Sequence, residues 1–377
     1  GLGTAASVAL GSMTLPRLDG GLAHAAPVGP MTDEERRLAS LDMRRDMAQV
    51  AFDRPTATHL TNGDEEAYPT RFASYTKGLP HNSLGEVDQG AYDALLAALT
   101  SGNPADFEAI PLGGARTLTN PQAGLAYDLE GSDSWNLSMP PHPPFASAWA
   151  AGEMVELYWM ALLRDVSFTD YGANRLVGQA ARDLTLLTDL RAPKQDGKVT
   201  PETIFRGDTP GDLAGPYLSQ FLLREIPYGS LTINQRQGTV VGGLDYGTRY
   251  DEWLNIQNGG STADVKPDQQ RRYIRNMRDL TRYVHIDALY EAYLNACLIL
   301  LGMGAPVDPG NPYAASANQH GFGTFGGPHI LSLVTEVATR ALKAIWYQKW
   351  FLHRRLRGEE FGGRIHNHLA GQASYPI

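Results

Sequence analysis

Apolar residues at three- and four-residue spacing, in separate stretches and never in a long alternation of period two, constrain this 377-residue chain most strongly. Met154, Leu157, Tyr158, Ala161 and Leu162 show the spacing within the stretch 148–164. Further helices are expected over 32–52, 88–99, 174–190, 215–225, 267–302 and 328–355. Thr32 before Asp33, Glu34 and Glu35 reads as an N-cap with an acidic first turn, and Gly327-Pro328 is the start signal of the last and strongest run. The fold class is therefore mainly α, a helical bundle with long loops and at most a short hairpin, placed around 232–243. Residues 51–85 are loop-rich. Residues 102–147 are irregular and include Met139-Pro140-Pro141-His142-Pro143-Pro144; loops this long carry function or subunit contacts.

Composition narrows the function classes. A hydrophobic content of 42% supports a large core. A formal charge of -9, from 32 basic and 41 acidic residues, argues against a nucleic-acid grip, which needs a basic surface. The single cysteine, Cys297, sits in an apolar run and excludes an intrachain disulfide or a thiolate metal site; it reads as a core thiol. No run approaches the roughly eighteen apolar residues of a membrane span. Residues 1–30 form a separate leader-like or assembly arm: the segment Gly1 to Ala26 is small and apolar at first and ends near Ala23-His24-Ala25, which resembles a leader-peptidase site. Export and a soluble cytoplasmic location both stay open, because the numbered chain shows no basic n-region.

Lys349, His353 and Arg357 step by four, and on a regular helix they would lie along one stripe with Trp346 one turn earlier. The plain reading is a basic surface face. The alternative is an anion site, since two buried cations need a counter-charge.

A longer pattern favours the second reading. It comprises Phe325-Gly326-Gly327-Pro328-His329-Ile330-Leu331, Ala341-Leu342-Lys343-Ala344, Lys349-Trp350-Phe351-Leu352-His353-Arg354-Arg355-Leu356-Arg357 and Phe361-Gly362-Gly363, with Tyr127-Asp128-Leu129-Glu130-Gly131, Met160 to Val166 and Gly215 to Phe221 upstream. It resembles the vanadium-dependent haloperoxidases of the algal bromoperoxidase type, from residue 51 onward. That family opens its oxyanion site with a Lys followed eight positions later by an Arg, the separation of Lys349 and Arg357; acid phosphatases related by fold use a spacing one shorter. The resemblance implies the vanadium haloperoxidase and acid phosphatase fold type, a vanadate cofactor bound by Lys349 and Arg357, and Lys349 as the catalytic residue that activates peroxide oxygen toward halide. Trp346, Gln348 and His353 would form the halide pocket, with Gln348 tuning halide choice. Gly358 replaces the Pro that follows the Arg in most relatives, which softens the end of the helix.

The family completes its site with a Ser-Gly-His segment, an Arg and a vanadium-ligating His, none of which lies within the printed sequence, so that His is expected beyond Ile377. Residues 31–377 are read as a single helical domain, incomplete at its C-terminus. His366 and His368 read as loop or interface histidines, and no metal ligand is assigned within this chain. Residues 310–324 contain no carboxylate, so the calcium of red-algal relatives is not expected. The implied activity is vanadate-dependent oxidation of halide, bromide first, by hydrogen peroxide to hypohalous acid that halogenates a small organic acceptor. The alternatives are a phosphomonoesterase using the same pocket, and a non-catalytic fragment or scaffold. Implied partners are a homo-oligomer, dimer or dodecamer, and a C-terminal continuation or second chain.

Overall fold

A computed structural model describes residues 32–129, 131–262 and 265–377. The leader-like arm expected over 1–30 lies outside the described residues. The chain divides into two compact units, Gly1–Pro55 and Thr56–Ile377. In the first, α1 (Asp33–Phe52) is closed by a capping box: the Thr32 hydroxyl accepts from the Glu35 N–H at 3.3 Å, and the Glu35 carboxylate accepts the Thr32 N–H at 2.8 Å. The helix buries none of its residues. It rests on its cap and on local pairs such as Glu34–Arg37, not on an apolar stripe.

The second unit holds α2 (Asp64–Ala67), α3 (Gln89–Ser101), α4 (Pro104–Glu108), α5 (Ala148–Leu162), α6 (Arg175–Thr185), α7 (Tyr250–Gln257), α8 (Met277–His285), α9 (Glu291–Gly302), α10 (Gly327–Tyr347) and α11 (Gly358–Leu369). The sheet among the described residues is one hairpin, β1 (Ile226–Tyr228) against β2 (Leu231–Ile233), antiparallel with Tyr228 opposite Leu231. It precedes the expected position because the two-residue turn is Gly229-Ser230, with Gly229 in the left-handed region at φ 62°. The mainly helical class is as the sequence implies. No helix among the described residues is long and apolar enough to cross a membrane.

Three expected helices differ. Residues 215–225 give only a short turn, Gln220–Leu223. Residues 267–302 break into α8 and α9, because the first ten residues spend their backbone groups sideways: Gln237 and Arg272 exchange two N–H···O bonds of 2.9 Å, and Asp268 donates to the Thr239 carbonyl at 2.9 Å. The third, 328–355, ends its regular part at Tyr347.

Two apolar clusters seat the segment after α10. In one, Tyr92, Leu95 and Leu99 of α3 close over Leu79, Ile110 and Trp350. In the other, Phe145, Met154 and Tyr375 enclose Leu356 and Phe361. A separate cluster packs α6, through Val177, Ala180 and Leu184, on Leu163, Tyr171 and Ile204. Gly363 is required by the approach of Trp253, since a Cβ there would lie 2.0 Å from the indole ring. The Trp253 indole N–H donates to the Glu359 carbonyl at 2.8 Å.

α11 carries two buried charges one turn apart, Glu360 at 1% exposure and Arg364 at 0%. Arg364 donates to the carbonyls of Gly85 at 2.7 Å and Phe72 at 3.1 Å. Glu360 accepts from the Thr76 N–H at 3.3 Å and its hydroxyl at 3.2 Å. Burial pushes the Glu360 carboxyl up to about 7 against the pull of Arg364. Between the ordinary carboxyl range and about pH 7 the folded protein thus binds the proton that the unfolded chain has released, so this group lowers stability as pH rises through that window. Glu360→Gln is expected to flatten the slope, read as urea midpoints at about pH 5 and about pH 7.5. A slope equal to that of the unsubstituted protein would show Glu360 ionised throughout.

Candidate oxyanion site

The site begins where α10 stops being regular. Over Gln348–His353 the helix widens by one residue, and the Arg354 N–H donates back to the Lys349 carbonyl, five residues earlier, at 3.1 Å. Arg354 then takes a left-handed conformation at φ 35°. Its guanidinium holds it there, with Nε 2.8 Å from Glu65 Oε2 and Nη1 2.9 Å from the Trp350 carbonyl. Beyond it the chain runs extended: the Tyr75 N–H donates to the Arg354 carbonyl at 2.7 Å, and Ser74 pairs with Arg355. Arg357 is the extended residue that opens α11, its N–H donating to Glu360 Oε2 at 3.4 Å.

The expected single stripe of Lys349, His353 and Arg357 is therefore corrected. An extra residue in the turn and the reversal at Arg354 end the four-residue periodicity before Arg357 is reached. The chain reversal nevertheless brings Lys349 and Arg357 to one cavity of about 460 Å³, together with Gln348, His353, Tyr75 and a wall made by Pro140 to Pro143.

Charge in this cavity is unevenly compensated. Lys349 is half-buried and forms no ion pair among the described residues; its Nζ faces three rings, Tyr75 at 5.0 Å, Trp346 at 5.1 Å and Trp350 at 4.8 Å. Burial, and then the charge of Arg357, hold its pKa below the ordinary lysine value. Arg357 contacts Glu359, Nε to Oε1 at 2.7 Å, but the same carboxylate also pairs with Lys77 at 2.8 Å. Arg355, also at the cavity, pairs with Glu153. One carboxylate thus serves two cations while a third, Lys349, has none, which leaves the cavity receptive to an anion.

The remaining expected residues fall as follows. His353 lines the cavity, and neither ring nitrogen has a hydrogen-bond partner among the described residues. Burial, then the charges of His142, His59 and Arg354, lower its pKa. Gln348 donates from Nε2 to the Leu137 carbonyl at 2.6 Å, while its buried Oε1 has no partner among the described residues. Trp346 donates to the Thr119 carbonyl at 2.9 Å and packs on the Leu79–Trp350 cluster, so it meets Lys349 and not the cavity wall. His366 stacks on Tyr250, and His368 Nδ1 accepts the Tyr375 N–H at 3.1 Å. Among the described residues no group of three or more His, Cys, Asp or Glu could hold a metal ion.

Two cavity residues escape the sequence reading. Tyr75 comes from the loop-rich 51–85 segment, with nothing in its spacing to mark it. His142 lies in the proline run, whose length was the only signal. His142 places Nδ1 3.1 Å from the Asn62 amide nitrogen and 3.0 Å from the Pro143 carbonyl, and Nε2 3.3 Å from the His353 carbonyl; the imidazole ties the proline wall to the widened turn.

No family model matches the chain. A vanadium-dependent bromoperoxidase of Corallina pilulifera is 36% identical over 91% of this chain and 70% of that protein. The vanadium-dependent bromoperoxidase of Corallina officinalis is 36% identical over 88% and 68%. A solved structure, the homohexameric second vanadate-dependent bromoperoxidase of Ascophyllum nodosum, superposes with a TM-score of 0.85 at 31% identity. That match covers 94% of this chain but spans 61% of the Ascophyllum chain. Shared identity of this degree over most of the sequence, on a shared fold, places the chain in the vanadium-dependent bromoperoxidase family.

Proposed function

We propose that in the full-length protein Lys349 and Arg357 hold vanadate, and that the protein oxidises halide, bromide first, with hydrogen peroxide to hypohalous acid, which halogenates small organic acceptors. The observation that carries this reading is the Lys349 ammonium, half-buried without a carboxylate and facing the same cavity as Arg357. A tetrahedral oxoanion fits such a pair, because its charge answers the lysine and its oxygens accept from both donors. Family membership favours this activity over the phosphomonoesterase and scaffold alternatives.

When bound, vanadate supplies a Lewis-acid centre that activates hydrogen peroxide. The chain's own residues bind and orient. Lys349 and the Arg357 guanidinium would each donate charge-assisted hydrogen bonds of about 1.5 to 3 kcal/mol to it. Lys349 would also place its positive charge beside the oxygen atoms of the bound anion. His353 and Gln348, which line the same cavity as Lys349, are assigned to the halide. We further infer a homo-oligomer. The Ascophyllum structure is a homohexamer, which stands beside the dimer and dodecamer implied by the family resemblance.

Lys349→Gln and Arg357→Ala in the full-length protein are each expected to weaken orthovanadate binding about 10- to 100-fold in calorimetric titration. Equal affinity in both variants would remove the assignment. The protonated lysine is the binding form, and its pKa lies below the ordinary value, so orthovanadate affinity is expected to fall as pH rises, beginning below the ordinary lysine range. Lys349→Arg, which stays charged, is expected to lose that decline; a decline of the same form in Lys349→Arg would assign it to another group.

A further inference from the structure

Residues 74–77 lie across the site like a template. Ser74 pairs with Arg355, the Tyr75 N–H is bonded to the Arg354 carbonyl, Thr76 binds the Glu360 carboxyl with its N–H and hydroxyl, and Lys77 takes Glu359 at 2.8 Å. Tyr75 is thereby fixed at its backbone to the reversal that separates Lys349 from Arg357. Its ring is fixed too, edge-on to Trp350 at 5.5 Å and 82°. We infer that Tyr75 is a positioning residue for the lysine, holding its ring against the Lys349 ammonium at the cavity that Arg357 also lines. The inference rests on the vanadate reading for its consequence, but not for the contact itself.

The ring face, 5.0 Å from Lys349 Nζ, stabilises the charged form of a lysine that lacks a carboxylate. The phenol is pushed up by burial and by the Glu360 carboxylate, and the charge of Arg357 opposes this. A ring without a hydroxyl would keep the contact with the ammonium, and an aliphatic residue would lose it.

The test uses Tyr75→Phe and Tyr75→Leu in the full-length protein with two readouts. The first is the pH dependence of acetylation of Lys349 by acetic anhydride without vanadate, followed by peptide mass spectrometry. It reports the lysine's protonation against the other charged and titratable groups at the cavity, Arg357, Arg355, Glu153, His142 and His353, with Glu359 and Glu360 behind Arg357. The second is orthovanadate titration. Tyr75→Leu is expected to move the onset of acetylation to lower pH, because the ammonium loses its ring, and to weaken orthovanadate binding about tenfold. Tyr75→Phe, which keeps the ring, is expected to keep both the acetylation profile and the orthovanadate affinity.

Acetylation profiles of Tyr75→Leu and the unsubstituted protein that superimpose would overturn the inference. Should Tyr75→Leu not fold, Tyr75→Met decides by the same acetylation shift, and a profile superimposed on that of the unsubstituted protein overturns the inference. If the unsubstituted protein takes up no orthovanadate while the Tyr75→Leu acetylation shift is present, the vanadate reading fails and the Tyr75–Lys349 contact stands.

Discussion

A lysine ammonium kept partly out of water without a carboxylate is the constraint around which the site is arranged. The Lys349 charge is carried instead by three aromatic faces, each contributing about 0.5 to 2 kcal/mol, an arrangement weaker than an ion pair and more easily improved by an arriving anion. A carboxylate at hydrogen-bonding distance would stabilise the empty protein and compete with any oxoanion. The neighbouring cations show the contrast: Arg354 is committed to Glu65, Arg355 to Glu153, and Arg357 shares Glu359 with Lys77.

The backbone supplies the rest. A regular helix through residue 357 would display Lys349 and Arg357 as neighbours two turns apart. The observed chain widens, reverses at Arg354 and returns extended, so the two donors reach the cavity from different elements. Such a reversal needs anchors. Trp350 sinks into the cluster under α3, Leu356 and Phe361 into the cluster with Phe145, and Glu65 holds the left-handed Arg354 from outside. The segment 74–77 then bonds across the opening. Stability of the fold and geometry of the site are therefore set by the same few residues, and Glu360 and Arg364 are buried on the helix that Arg357 opens.

Much of this was legible in the sequence, for physical reasons that differ from residue to residue. The helices α3, α5 and α6 follow from apolar spacing and side-chain caps at Asp88, Ser147 and Asn174. Lys349 and Arg357 stand out by their separation within a family-like run, and that separation holds although the regular helix assumed for it does not. The widened turn is unreadable locally, because the residues Gln348 to His353 suit an ordinary helix and it is the distant Tyr75 and Glu65 that fix the reversal. Tyr75 and His142 stay hidden for the same reason: their roles come from contacts with residues more than two hundred positions away. The divided helix after residue 267 reflects bonds to residues 237–239, which periodicity does not register.

The most direct measurement is a crystal structure of the full-length protein grown with orthovanadate at neutral pH. The expected result is a tetrahedral anion whose oxygens lie within hydrogen-bond distance of both Lys349 Nζ and the Arg357 guanidinium, with the Tyr75 ring still against the ammonium. An anion bound elsewhere, or a Lys349 turned to pair with a carboxylate and leaving the cavity, would contradict it.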